Sequence, residues 1–165
     1  MALNLQPYHL QRIDELTYGF TTDNGIEYRC SFLSYAEYFI NHPDLAPYFF
    51  SFNLDLRNKN TKLPRGADKR IANTVIIIVG DFLMSKTNAV VYVCDSSDDK
   101  EAIRSRKFIS WFDYYEHSSS DIIQVSNNFK AGDMIFYTCL LVHKQNKRFK
   151  DMILAYLDLT KEENK

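Results

Sequence analysis

Three carboxylates and two guanidiniums stand within a dozen residues of one another: Asp95, Asp98 and Asp99, followed by Arg104 and Arg106. Acidic residues at a strand end are the pattern that holds a divalent ion, and paired arginines are the pattern that holds a phosphate or carboxylate bidentately. The competing reading is structural. Asp98 and Asp99 open a helix, where negative charge offsets the helix dipole and a side-chain oxygen accepts orphan amide hydrogens. Arg104 is the exception, because it falls inside the apolar arc of Phe108, Ile109, Trp111, Phe112 and Tyr115. A cation there needs an acid, and Asp95 is the nearest in sequence, so Arg104 and Asp95 are the candidate ligand-binding residues of this stretch. Cys94 precedes Asp95, whose charge raises a thiol pKa, so Cys94 reads as core rather than nucleophile.

The elements that must position these residues follow from periodicity. Val90 to Val93 form a short strand, and a helix runs from about residue 98 to 115. Residues 1–15, with Pro7, read as a lead-in with a helical turn near His9 to Ile13. Thr17–Thr22 and Ile26–Phe32 alternate apolar and polar residues around Asp23-Asn24-Gly25, which predicts a hairpin with Gly25 at positive φ. Tyr35–Ile40 reads as a helical turn, and Tyr48–Arg57 as a strand presenting Phe50, Phe52, Leu54 and Leu56 on one face. Asp68 caps a helix to Ser85, although β-branched Val75–Val79 competes as a strand on propensity. Strands are expected at Asp121–Ser126, Met134–His143 and Lys150–Leu159, with a turn at Asn127–Gly132 and a basic turn at Lys144–Arg148. The tail 160–165 is expected to fray. The order βββ-α-β-α-βββ is an α+β fold, a mixed and mainly antiparallel sheet with two main helices packed on it, in a single domain of residues 1–165.

Composition bounds the function. The chain has 20 Lys plus Arg against 21 Asp plus Glu, so no net field favours a polyanion. The basic segment at 59–70 has no aromatic and that at 144–150 has only Phe149, and nucleic-acid binding is not expected. Twelve Phe and eleven Tyr against five Gly suit a strand-rich core with wide side chains. Cys30, Cys94 and Cys139 are odd in number and far apart, and the four histidines have no ligand spacing, so reduced thiols, no metal and no cofactor are expected. No window reaches the roughly 18 apolar residues of a membrane span, and the N-terminus lacks a signal pattern; a soluble, cytoplasmic protein is expected.

Two patterns carry a resemblance: Tyr18-x-Phe20-x-Thr22-x-x-Gly25-x-x-Tyr28-x-x-x-Phe32, and Tyr92-x-Cys94-Asp95-x-x-Asp98 followed by Arg104-x-Arg106-x-Phe108-x-x-Trp111-Phe112. Together they resemble a family of small uncharacterised bacterial proteins, a domain of unknown function, which implies no activity. The order of elements is also similar to the Gcn5-related N-acetyltransferase fold, in which a strand meander leads to a helix, a strand, a helix and two closing strands. That resemblance implies a turn before the first of those helices that presents amides to the pyrophosphate of coenzyme A, and it singles out Arg65 and Gly66. The turn departs from the Arg/Gln-x-x-Gly-x-Gly/Ala pattern, since Leu63 lies three before Gly66 and Asp68 stands where Gly or Ala is expected.

The function is therefore read as that of a non-catalytic interaction protein, with a protein partner or self-association. The alternative is an acyltransferase-like enzyme with an eroded loop, binding an acyl-coenzyme A.

Overall fold

The computed structural model describes residues 6–57, 68–94, 110 and 121–163. Seven strands form one mixed sheet: β1 (Gln11–Asp14), β2 (Thr17–Thr21), β3 (Glu27–Ser34), β4 (Phe49–Leu56), β5 (Ala89–Cys94), β6 (Ile122–Ala131) and β7 (Met134–His143). Their order is β1-β2-β3-β4-β5-β7-β6, with β4 and β5 parallel and every other neighbouring pair antiparallel. Helices α1 (Lys69–Leu83) and α2 (Phe149–Glu163) pack on it, so the fold is α+β as expected.

Side-chain alternation divides the core in two. On one face Tyr18, Phe20, Cys30, Phe32, Phe52, Val90, Cys139 and Leu141 meet α1 through Val75, Ile78, Val79, Phe82 and Leu83. On the other, Ala89, Val91, Leu140 and Val142 meet α2 through Met152, Ala155 and Tyr156, together with Phe39 from the 3-10 turn Ala36–Phe39. The competition over Val75–Val79 resolves as helix. Asp68 supplies the cap, its side chain accepting the Arg70 amide at 2.9 Å, and β-branched residues are tolerated because they interdigitate with aromatics of the sheet.

The first hairpin forms as predicted, with Gly25 at φ +78°. Its loop has three residues: the Thr22 amide donates to Ile26 O and the Gly25 amide to Thr22 O, both at 2.9 Å. This is a type I turn closed by a left-handed residue, a position suited to glycine.

Three boundaries are corrected. Residues 11–14 are a strand rather than a helical turn, because β2 offers them a paired edge. The turn expected at Asn127–Gly132 is strand up to Ala131, and the reversal is Gly132-Asp133 with Gly132 at φ +63°. Lys150–Leu159, expected as a strand, lies within α2. Phe149, Met152, Ile153, Tyr156 and Leu157 recur at helical spacing on the buried side, and Asn146 Oδ1 accepts the Arg148 amide at 2.9 Å just before the first turn. The helix expected over residues 98–115 lies outside the described residues apart from Ser110, which is helical.

Candidate functional site

Strands β4 and β5 with α1 between them make a βαβ unit, the only parallel pairing among the described residues. Their register pairs Phe49 with Ala89, Phe50 with Val90 and Ser51 with Val91. Each stays bound to its outer neighbour: β4 follows β3 to the pair Tyr28–Leu56, and β5 follows β7 to the pair Cys94–Tyr137. In open sheets, ligands bind outside the carboxyl ends of parallel strands.

The side chains at the carboxyl ends of β4 and β5 are sorted by the strand alternation. Phe52 is buried, and Leu54 and Tyr92 are partly buried, all on the α1 face; the Phe52 and Tyr92 ring centroids lie 6.3 Å apart, tilted by 49°. Asn53 and Asp55 are exposed on the opposite face.

The N-terminus of α1 is held by its own chain. Asp68 accepts the Arg70 amide and a short hydrogen bond from the Tyr8 hydroxyl. The Arg70 guanidinium covers the Tyr8 ring at 4.0 Å, donates to Gln6 O at 2.8 Å and pairs with Asp23 at 2.7 Å. At the far end of α1 the Tyr18 hydroxyl donates to Asp81 at 2.6 Å. Burial, and then the bond to a carboxylate, pushes both tyrosines up to about 12. Cys30 and Tyr156 are also raised to about 12, chiefly by burial. All four groups are held protonated and serve as donors or as core, not as bases or thiolates.

The sequence-predicted ligand residues Arg104, Asp95, Arg65 and Gly66 lie outside the described residues. By chain position Asp95 follows the last residue of β5, while Arg65 and Gly66 precede the cap of α1. Several basic residues are already engaged: Arg70 with Asp23, Lys144 with Asp121 at 2.8 Å, and Arg148 with Asp44. The pairing of β4 with β5 rather than with another strand was invisible in the sequence, since nothing in Phe49–Leu56 names its neighbour. Tyr8 gave no signal either, lying in a segment with no periodicity.

Among the described residues no group of three or more His, Cys, Asp or Glu could hold a metal ion, and no helix is long and apolar enough to cross a membrane. Among curated proteins and solved structures nothing matches the chain. Residues 67–158, more than half of the sequence and reaching from the cap of α1 into α2, match the "Family of unknown function (DUF6169)", and the chain belongs to that family.

Proposed function

We propose that this protein binds an acyl-coenzyme A at the carboxyl ends of β4 and β5. The observation that carries the reading is the parallel β4-α1-β5 unit followed by the closing strands β6 and β7. That order continues the likeness to the Gcn5-related N-acetyltransferase fold. Phe52 and Tyr92 place apolar surface at that end. Arg65, Gly66, Asp95 and Arg104 are the further residues assigned to ligand contact.

The fit is incomplete at the helix end. Asp68 already takes the Arg70 amide, so that amide is not offered to a pyrophosphate, and its carboxylate repels one. The reading therefore stops at binding. The displaced tyrosines and Cys30 supply no base or thiolate near neutral pH. Differential scanning with acetyl-coenzyme A tests it. A ligand at a hundred times its Kd stabilises by about 2.7 kcal/mol, which raises the melting temperature of a chain this size by roughly 5 to 10 °C. No shift at millimolar ligand sinks the reading.

A second reading, a protein-interaction module, rests on a different surface. Leu33, Tyr38 and Ile40 are 52, 48 and 75 % exposed, and Tyr38 stacks on Tyr35 at 4.2 Å beside the sheet face that α2 leaves open. Such apolar and aromatic groups are typical interface anchors. Light scattering of the wild type and of a Leu33→Asp, Ile40→Asp variant tests self-association; identical monomer masses remove that form of the reading. Cys30 and Cys139, both buried and in no disulfide, support a reducing compartment, and the engaged Arg70, Lys144 and Arg148 speak against a nucleic-acid surface.

A further inference from the structure

Resting on the self-association form of the second reading, we infer that two copies of this chain meet through the open face of β2–β4, each copy's Arg29 pairing with Asp55 of the other. Arg29 and Asp55 are register partners on β3 and β4, and both stand on the face away from α1, since Cys30 and Leu54 beside them pack on the α1 side. Opposite charges at directly opposed positions of an antiparallel pair ordinarily bind each other. Here, among the described residues, neither side chain makes a hydrogen bond or an ion pair, although Arg29 is half-buried. The surface around them is low and carries apolar groups. Gly19, the partner of Arg29 on β2, has no side chain, and Thr17, Ser31 and Asn53 fill the next row. Ile13 lies over Gly19, 3.4 Å from the place of its absent Cβ, and is 47 % exposed; Leu33 is two residues further along β3, at the margin of the contact. A second copy is the occupant that presents an acid and a base at the same spacing in exchanged order. A twofold axis lying over the line between β3 and β4 makes every pairing occur twice, Arg29 with Asp55 and Asp55 with Arg29.

Exchanging the charges tests the contact on the full chain. Light scattering of the wild type is expected to give the mass of a dimer. Arg29→Asp and Asp55→Arg should each give the monomer mass, because like charges then face each other across the axis, and circular dichroism checks that each variant is folded. An equimolar mixture of the two variants should return to the dimer mass, since acid again meets base at both places; a merely structural role for either residue gives no such rescue. Where a single variant does not fold, the doubly exchanged chain, Arg29→Asp with Asp55→Arg, keeps opposite charges across β3 and β4. It should dimerise with itself and fail to form mixed dimers with a tagged wild type, and free exchange between the two overturns the contact. A wild type of monomer mass overturns the contact together with the self-association reading. A wild-type dimer that both reversals leave intact overturns the contact and leaves that reading standing, as does a mixture of folded, monomeric variants that stays monomeric.

Discussion

Strands β2–β4 and strands β5–β7 share one sheet, yet they are covered differently. Around β5 and β7 both faces are buried: Val90 and Leu141 lie under α1, and Val91, Leu140 and Val142 under α2. In β2–β4 the α1 face is packed with Tyr18, Phe20, Phe32 and Phe52, while the opposite face carries Thr17, Arg29, Ser31, Asn53 and Asp55, half-buried or exposed. The family match begins at residue 67, so it takes in the doubly covered half and omits the meander. A strand covered on both sides must be apolar at every position, as Val90–Val93 and Cys139–Val142 are, whereas a singly covered strand alternates. The parallel pairing of β4 and β5 falls on the border of the two regimes.

The largest test of this difference compares two leucines. Leu140 is fully buried under α2, and Leu140→Ala should cost about 2 to 5 kcal/mol in urea unfolding. Leu33, half exposed on the open face, should cost less than about 0.5 kcal/mol as Leu33→Ala. Similar midpoints for the two variants would mean that the open face is covered.

Next in size, Gly25→Val tests the first hairpin. Its would-be Cβ meets nothing within 4 Å, so only backbone strain at φ +78° acts, and a loss of somewhat more than about 1 kcal/mol is expected. A neutral result would mean that the loop re-forms without a left-handed residue.

The Tyr18–Asp81 bond, which ties the meander to α1, should contribute about 1 kcal/mol. Its pH dependence has a definite sign. The Tyr18 pKa is raised in the folded state from 10.0 to about 12, so the contribution is fully present below pH 10 and lost as pH rises through about 12. The stability difference between wild type and Tyr18→Phe should shrink over that window. A difference that stays constant across it would show that the hydroxyl does not bond to Asp81.

The smallest effect belongs to Arg148, expected from sequence as a solvated turn charge. It instead pairs with Asp44, joining the loop before β4 to the start of α2, and that bond holds the Asp44 carboxyl below its ordinary value. The contribution is present above pH 3.8 and lost as pH falls through the lowered pKa. Arg148→Met should lose slightly more stability at neutral pH than Lys147→Met and should remove this acid dependence. Identical acid titrations of the two variants would show the pair to be idle.

Much of the fold was legible because local chemistry settles it. Asn24-Gly25 between alternating runs admits a hairpin and little else, Asp68 before an apolar periodic segment marks a helix start, and four apolar residues at alternate positions from Phe50 to Leu56 make a strand with one buried face. Lys150–Leu159 was misread although its helical spacing was present, because a short apolar run supports either period until the surface it must cover is known. The sequence alone determined the element types at these capped and turn-bounded places, the aromatic composition of the core and the balance of charge. Only tertiary structure decided that β5 pairs parallel with β4 on one edge and antiparallel with β7 on the other, because strand neighbours are chosen by long-range packing under α1 and α2. The same long-range packing brings the rings of Phe52 and Tyr92, forty residues apart in the chain, into contact.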